Sequence, residues 1–239
     1  MKIGIQMYSV RDVTNTDMRG ALQKLAAMGY TSVEFAGFFD IPAADIAAWL
    51  KEYGLTVSGT HTRIDEPRDN FEATVAYHKA IGNTNIIIPA ADLKSQEKLD
   101  LFVAQVNELQ PRLKSEGIRL AYHNHDHEFK PNEDGSMIYE QLLERTTLDL
   151  EIDTFWAYAG GQNPIEMMET LKDRLIYIHI KDGYQDRRGM PLGQGTAPVA
   201  DVYRKAVAMG VPMVVESETL TPDGLTEAKI CIDYLKSLA

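Results

Sequence analysis

The strongest constraint on the fold is a repeated switch along the chain from a helical to an extended hydrophobic pattern. Each of five helical patterns ends in a glycine, and an extended apolar segment follows within a few residues: Gly29, Gly54, Gly82, Gly117 and Gly210. Glycine suits the left-handed position just after a helix because it has no Cβ. Three further extended segments, at 3–9, 148–153 and 175–181, bring the predicted strands to eight.

Amphipathic helices are predicted between these strands. They span residues 16–28, 43–53, 69–81, 95–116, 138–145, 164–172, 198–208 and 223–237. Ser95 is the predicted N-cap of the longest helix, and Pro164 suits a first helical turn. Strict strand–helix alternation indicates an α/β fold with a parallel sheet, and eight uninterrupted units favour a closed (β/α)8 TIM barrel.

The structural alternative is an open doubly wound sheet. The turn after the first strand, "YSVRD", lacks the glycine-rich phosphate fingerprint common in such sheets, which argues against it. No linker rich in proline, glycine or serine divides the chain. Residues 1–239 are therefore predicted to form a single domain.

Charge and cysteine usage limit the classes of partner. A net charge of −11 disfavours nucleic acid and anionic membrane surfaces. The single cysteine, Cys231, excludes an intrachain disulfide and is predicted to be a buried structural thiol. The chain has no signal-like start and no apolar run of about 18 residues. These features predict a cytoplasmic protein.

Polar residues stand at the ends of the predicted strands, where TIM barrels carry their functional groups. They are Gln6, Tyr8, Glu34, His61, His123, His125, Asp153, His179, Lys181, Glu216 and Glu218. His123, Asp153, His179 and Glu216 come from four successive strands. Such a set of imidazoles and carboxylates suits Mn²⁺, Co²⁺, Fe²⁺ or Zn²⁺ and is less natural for Mg²⁺. For any one of these residues alone, the alternative is an ordinary hydrogen-bonded polar side chain.

Several segments, in this order, resemble the xylose isomerase-like TIM barrel superfamily, also called the sugar phosphate isomerase/epimerase family. The carriers are "IGIQMYSVRD", "GYTSVEFAG", "GTH", "YHNHDHEF", "LEIDTFW", "IHIKDG" and "VVESE", which together cover essentially the whole chain. The resemblance implies one divalent metal ion, with Mn²⁺ expected first and Co²⁺, Fe²⁺, Zn²⁺ or Mg²⁺ as alternatives. Its implied ligands are His123, Asp153, His179 and Glu216.

Two departures from the family pattern bear on the reaction. The fifth-strand ligand is usually glutamate in the epimerases, and here it is His123. The residue three after the sixth-strand aspartate is usually histidine, and here it is Trp156. In the epimerases of this family, one metal-bound glutamate removes a proton and a second, on the opposite face of the substrate, returns it. With His123 in place of one glutamate, the resemblance implies that this chain lacks such a symmetric pair. The Tyr-His pair on the fifth strand is closer to inosose dehydratase and to lyases that act on keto-sugars.

The expected chemistry starts with removal of a proton next to the carbonyl of a sugar or keto-sugar, with the metal ion as Lewis acid. Glu216 is the expected base, and Glu218 is its alternative on the same face. Lys181 is expected to assist the enediolate, and His125 to donate a proton. Return of the proton gives an isomerase or epimerase, whereas loss of water or a glycosyl group gives a lyase or dehydratase.

Substrate contacts are predicted for residues that share this strand-end placement: Tyr8, Glu34, His61, Trp156 and Glu218. For Glu34, a hydrogen bond to a ligand or to a neighbouring loop is the alternative, and for His61 it is a polar role behind the groups that line the pocket. Phe38 would join the aromatic wall unless it belongs to the core. Lys181 and Asp182 are expected to orient His179, to contact substrate or to form a structural salt bridge.

Two long segments after strands five and seven, 124–137 and 182–197, are expected to cover the substrate. Arg187 and Arg188 on the second segment would meet an anionic group or lie on a solvated surface. His78 is predicted on the surface of its helix.

Two other functional classes are alternatives to a sugar-converting enzyme. An AP endonuclease of this fold would need a histidine-rich site of three zinc ions and a basic groove; Pro89 at the fourth strand end, only six histidines and the acidic charge argue against it. A non-catalytic sugar-binding barrel remains an alternative. The sequence leaves open the substrate, its phosphorylation, the metal and whether the chain forms a homo-oligomer.

Overall fold

The computed structural model describes residues 2–239, whose eight main strands close into a parallel barrel. These strands are Ile3–Gln6, Ser32–Phe35, Thr56–His61, Asn85–Ile88, Arg119–His123, Asp149–Asp153, Leu175–Ile180 and Met213–Val215. Each strand pairs with its neighbours in the sequence, and the first pairs with the last, with Ile3 opposite Met213. The predicted (β/α)8 TIM barrel is confirmed.

Helices surround the barrel. Their bounds are Arg11–Met28, Ala43–Tyr53, Asp65–Asp69, Phe71–Ala80, Gln96–Ser115, Ile138–Arg145, Thr154–Ala159, Pro164–Thr170, Val199–Met209 and Gly224–Ser237, with 3-10 turns at Met7–Val10 and His127–Phe129. Among residues 2–239, no helix is both long and apolar enough to cross a membrane.

The first strand and the first helix differ most from the predicted bounds. The strand ends at Gln6 instead of residue 9, because the 3-10 turn Met7–Val10 leads straight into a helix that begins at Arg11. The backbone at Asp17 leaves the helical region, with φ of −146°. The regular part of the helix therefore begins after Asp17, close to residue 16, where the sequence pattern predicted the start.

The helix ends follow the predicted capping chemistry. The Ser95 hydroxyl accepts a hydrogen bond from the amide of Lys98 at 3.3 Å, and Pro164 is the first residue of its helix. All five glycines predicted after helices have φ between +69° and +105°, which costs other residues a steric penalty. These local signals set the length of each unit and hence the alternation.

Apolar side chains fill the layer between the barrel and its helices. The seventh strand, for example, buries both Ile178 and Ile180 completely. Cys231 on the last helix is also fully buried, as predicted. Because parallel strands are buried on both faces, hydrophobicity alone does not reveal which side chains point into the barrel.

His78 corrects the sequence-based prediction, because its side chain is fully buried and not on the surface. It shares the inner face of the helix Phe71–Ala80 with Thr74, one turn earlier. The side-chain Nδ2 of Asn83 donates to its Nδ1 at 2.9 Å, and Thr60 Oγ1 lies 3.3 Å from the same nitrogen. Burial lowers the pKa of His78 to about 4.

Acid should therefore destabilise the fold through His78. The folded-state pKa lies below the value of 6.5 for an exposed histidine, so only the unfolded chain binds this proton between pH 6.5 and 4. The stabilising contribution is complete above pH 6.5 and is lost as pH falls towards 4, by up to roughly 3 kcal/mol. We expect His78→Gln to flatten this part of the acid dependence, measured by urea unfolding between pH 7.5 and 4. Equal slopes in the variant and the parent protein would contradict the assignment.

Candidate metal centre at the barrel mouth

Four polar side chains converge at the carboxyl ends of the last four barrel strands. One nitrogen or oxygen atom from each lies within 4.8 Å of the others, and all four residues are buried: His123, Asp153, His179 and Glu216. Parallel strands all end at the same rim of a barrel, which brings residues far apart in sequence into one cluster. The structure thus assembles the four residues that the sequence analysis selected.

One pair of these atoms has the spacing of two ligands on a divalent cation, and the two pairs of Asp153 are about half an ångström wider. His179 Nδ1 lies 3.3 Å from Glu216 Oε2, while Asp153 Oδ2 lies 3.9 Å from both His179 Nδ1 and His123 Nε2. Bonds of about 2.1 Å to one metal ion separate neighbouring ligands by about 3.0–3.4 Å. Asp153 Oδ2 is buried without a hydrogen-bond partner, and its other oxygen caps the helix Thr154–Ala159. An unpartnered carboxylate oxygen beside two imidazoles is a suitable ligand.

Lys181 joins the metal cluster to the end of the eighth strand. Its buried ammonium group donates to Glu216 Oε2 at 3.2 Å and also to Glu218. Burial opposes the charge of Lys181, but Glu216, Asp153 and Glu218 raise its pKa above the ordinary value. Burial also disfavours the charged form of Glu216 and by itself would raise its pKa. The positive charges of Lys181 and His179 outweigh this effect and hold the pKa of Glu216 well below its usual range. Glu216 is therefore ionised at neutral pH.

His125 and Trp156 form one wall of the mouth, with ring centroids 5.5 Å apart. His125 Nδ1 and Trp156 Nε1 are buried and have no hydrogen-bond partner in the described chain. Burial, followed by the charge of Lys181, lowers the pKa of His125 to about 4. His125 is thus a neutral imidazole at pH 7, with a free ring nitrogen.

A second set of polar groups lies beneath the four candidate ligands, and we call Glu34, His61 and Glu151 the lower layer. His61 Nε2 lies 2.9 Å from both Glu34 Oε1 and Glu151 Oε2. Glu34 also accepts from Gln6 Nε2 at 2.5 Å and pairs with His179 Nε2 at 2.9 Å. Glu34 is fully buried and is not open to the mouth. Its carboxylate contacts the candidate ligand His179, which is the alternative to the predicted substrate contact.

Glu151 was not selected from the sequence. It lies two residues before Asp153 on the same strand, and side chains alternate between the two faces of a strand. The spacing of two residues could have revealed Glu151, because residues i and i+2 of a strand face the same side and Asp153 was predicted to face the barrel interior. Burial, and then the charge of Glu34, raise the pKa of Glu151 to about 8.

The two long loops are tied together at the rim. Arg187 on the second loop forms a 2.5 Å ion pair with Asp126 on the first. Arg188 lies over the Tyr184 ring and 3.8 Å from Asp186. Both arginines are therefore paired with acidic loop residues.

Asp182 organises the second loop and does not contact His179 through its side chain. Its carboxylate accepts four backbone N–H groups at 2.7–3.2 Å, from Gly183, Gly193, Gly195 and Ala197. A Cβ atom at Gly195 would approach Asp182 Oδ1 to 2.3 Å, which explains the glycine in "LGQG". The loop also contains a short antiparallel pair, Asp182–Gly183 with Gly189–Met190.

Of the aromatic residues expected near the mouth, Tyr8 is 44% exposed and lies beneath the Arg11 guanidinium group. Phe38 instead packs between Phe35 and Tyr77, with ring centroids 5.4 Å and 4.3 Å away. Phe38 is thus part of the packing around the barrel, which was the alternative in the sequence analysis.

A family model described as xylose isomerase-like TIM barrel matches residues 22–238. Among curated proteins, an inosose dehydratase of Geobacillus kaustophilus is 22% identical over 190 residues, which are 69% of this chain and 62% of that relative. The chain thus matches less than two thirds of that relative's length.

Solved structures share the fold. A sugar phosphate isomerase/epimerase from Parabacteroides distasonis has a TM-score of 0.84 at 24% identity, covering 99% of this chain and 93% of that one. The probable 3-DHS dehydratase AsbF of Bacillus anthracis has a TM-score of 0.80 at 13% identity, with 99% of each chain covered. An L-ribulose 3-epimerase has a TM-score of 0.75 at 16% identity, covering 100% and 94%. At these identities the likeness concerns the fold alone.

Metal affinity should rise with pH. Burial raises the pKa of Asp153 to about 7 in the metal-free protein, so a proton competes with the cation for this carboxylate below that pH. The raised pKa of His179 acts in the same direction. We expect the Kd for Mn²⁺, measured by calorimetry on metal-free protein, to weaken by at least about tenfold for each pH unit below 7, because one or two protons must leave these ligands. A Kd that stays constant between pH 6 and 8 would contradict this.

Proposed function

The chain belongs to the xylose isomerase-like TIM barrel family, and from this membership and the geometry of the barrel mouth we propose that it is a metal-dependent enzyme acting on a sugar or keto-sugar. The proposed reaction starts with removal of the proton next to the substrate carbonyl. The observation that carries the proposal is the buried four-residue cluster, in which Asp153 Oδ2 has no partner and Glu216 is held ionised.

His123, Asp153, His179 and Glu216 would hold the divalent ion. When bound there, such an ion supplies Lewis-acid chemistry to a carbonyl and a neighbouring hydroxyl oxygen. Mn²⁺ is the first choice for this set, because two imidazoles beside two carboxylates suit borderline ions better than Mg²⁺. The choice of metal is part of the proposal.

Glu216 is the proposed base. Its ion pair with Lys181 keeps the carboxylate charged at neutral pH, and a charged carboxylate is required to accept the proton. The cost of this arrangement is a weaker base, so the substrate proton must be made acidic by charge stabilisation at its oxygen atoms. Lys181 lies beside Glu216 and would contribute to that stabilisation. Glu218, which also reaches Lys181, is the alternative base.

His125 is the proposed partner for the second proton transfer. Its Nδ1 atom is unpartnered, and its low pKa makes it a neutral imidazole at pH 7. A neutral imidazole is a weak acid, and the low pKa makes His125 a weak base too, so its proposed role is a hydrogen bond through which a proton passes to a leaving oxygen that already carries developing charge. The unpartnered N–H of Trp156 is available to hold a substrate oxygen nearby.

Elimination is a second candidate reaction, supported by a specific feature of the fifth strand. This strand and the two residues after it contribute the imidazoles of His123 and His125 to the mouth and no carboxylate. An exchange of protons between two equivalent carboxylates across the substrate is therefore less natural than loss of a group from the neighbouring carbon. The similarity to an inosose dehydratase is consistent with such a lyase.

Hydrogen exchange distinguishes these possibilities. The Mn²⁺-loaded protein would be incubated in D₂O with 3-keto-glucosides, inosose and common ketoses, and the ion removed by chelation before proton NMR. Deuterium incorporation with an isomeric product identifies an isomerase or epimerase, and a product that has lost water or a glycosyl group identifies a lyase. If a sugar binds but no substrate incorporates deuterium or forms a product, the chain is a non-catalytic sugar-binding barrel and the proposal is contradicted.

Replacement of the proposed base gives a direct prediction. We expect Glu216→Gln to slow exchange by about 10² to 10⁴-fold at saturating Mn²⁺, which is the typical contribution of a positioned base. Glu227→Gln is the matched control, because Glu227 is buried but hydrogen-bonds Ser217 and the Thr221 amide instead of the cluster. If Glu216→Gln keeps full exchange while Glu218→Gln loses it, Glu218 is the base.

A further inference from the structure

We propose that the lower layer, Glu34, His61 and Glu151, positions His123 and His179 so that one chosen nitrogen of each ring faces the barrel mouth. The inference rests on the proposed metal centre, because it concerns how that centre is oriented. These three residues are positioning residues and would not touch the substrate. Glu34 and Glu151 are fully buried, and His61 has only 10% of its side chain exposed.

Each of the two imidazoles spans both levels of the barrel interior. His179 directs Nδ1 towards Glu216 and Asp153 at the mouth, while its Nε2 lies 2.9 Å from Glu34 Oε1 and 3.1 Å from Glu151 Oε2. His123 is turned the other way, with Nε2 towards Asp153 and Nδ1 3.4 Å from Glu151 Oε2. The two rings therefore use different nitrogens at the mouth.

The distances separate the two levels. In the lower level, the carboxylate pairs of His61 and His179 measure 2.9–3.1 Å, which is the length of a hydrogen bond, and the His123–Glu151 pair measures 3.4 Å. At the mouth, the His179–Glu216 pair measures 3.3 Å, and both pairs of Asp153 measure 3.9 Å. His61, His123, Glu151 and His179 also come together closely enough to hold an ion, but the short pairs of His61 and His179 match hydrogen bonds. We therefore assign the lower layer as a support and the mouth as the cation site.

The chemistry of a metal-bound histidine explains why such a support is needed. A neutral imidazole that ligates through one nitrogen carries its proton on the other, and a carboxylate that accepts this proton fixes both the tautomer and the ring plane. Glu34 and Glu151 stand where the Nε2 proton of His179 would point. Glu151 Oε2 lies 3.4 Å from His123 Nδ1, which makes no hydrogen bond in the described chain, so for His123 the support is proximity to a carboxylate.

Neighbouring residues hold the layer rigidly in place. Gln6 donates to Glu34 and accepts from the Tyr8 amide at 3.0 Å, which joins the layer to the first turn of the chain. A Cβ atom at Gly59 would approach Ile87 Cδ1 to 2.5 Å and Glu34 Oε2 to 3.3 Å. Glycine at position 59 therefore leaves the space that the Glu34 carboxylate occupies.

Charge-neutral variants test the proposal by metal affinity. Glu34→Gln and Glu151→Gln keep the side-chain shape but replace one carboxyl oxygen with an amide NH₂ that can only donate, which weakens the acceptor for the imidazole proton whether or not the carboxyl group is charged. We expect each to weaken Co²⁺ and Mn²⁺ binding by about 10- to 100-fold and to change the visible absorption spectrum of the Co²⁺ form. The thermal midpoint of the metal-free protein should not fall, which separates positioning from a merely structural role. Glu227→Gln is the control and should keep the parent affinity and spectrum.

Unchanged affinity in both variants would overturn the proposal, and so would a loss of affinity that only follows a loss of stability. A parent protein that binds two ions, reduced to one by Glu151→Gln, would also overturn it, because the lower layer would then be a cation site.

A measurement on the unsubstituted protein does not depend on how the variants fold. Long-range ¹H–¹⁵N NMR of the Zn²⁺-loaded chain, which has six histidines, reports which ring nitrogen of each is protonated. We expect His123 to be protonated at Nδ1 and His179 at Nε2, and the reverse for either ring overturns the proposal. A chain that binds no Zn²⁺, Mn²⁺ or Co²⁺ would instead overturn the proposed metal centre itself, so the two failures are distinguishable.

Discussion

Carboxylates buried inside a protein need partners, and the upper half of this barrel interior is built around that requirement. Glu34, Glu151, Asp153 and Glu216 are all buried there. Imidazoles and Lys181 stand between these carboxylates and neutralise part of their charge. Glu34, Glu151 and Asp153 each keep one oxygen without a hydrogen bond, and that of Asp153 lies between His123 and His179. The same requirement thus accounts both for the stability of the arrangement and for its capacity to take a cation.

The site has two levels with different tasks. The lower level is closed to solvent and hydrogen-bonded at short distances, so it holds orientation. The upper level combines wider spacings, an ionised Glu216 and a neutral His125 with a free nitrogen, so it can bind and move protons. Above it, the Arg187–Asp126 ion pair joins the two long loops at the rim. Rigid support beneath reactive groups is what a site needs when small displacements reduce the rate strongly.

Sequence patterns predicted most of the fold because they are local. The helix at Ala43–Tyr53 and the helix at Ile138–Arg145 have the predicted bounds, since their periodicity and end signals lie within a few residues. The short helices Asp65–Asp69 and Thr154–Ala159 were missed, because a segment of one or two turns is too short to show a helical period. His78 was placed on the wrong face for a related reason. A polar residue in a helix indicates solvent unless a buried partner such as Asn83 satisfies it, and that partner comes from tertiary structure.

The order of strands and helices, and the polar residue at the end of every strand but the fourth, were determined by the sequence alone. These features depend on spacing along the chain, and in a parallel barrel all such ends meet at one rim. Tertiary structure alone decided that Glu151 faces His61 and His179, that Asp182 binds loop amides and that Arg187 pairs with Asp126. Side-chain alternation assigns a residue to the inside of the barrel. Its partner there depends on the stagger between strands and on the paths of the loops, which are set only when the barrel closes.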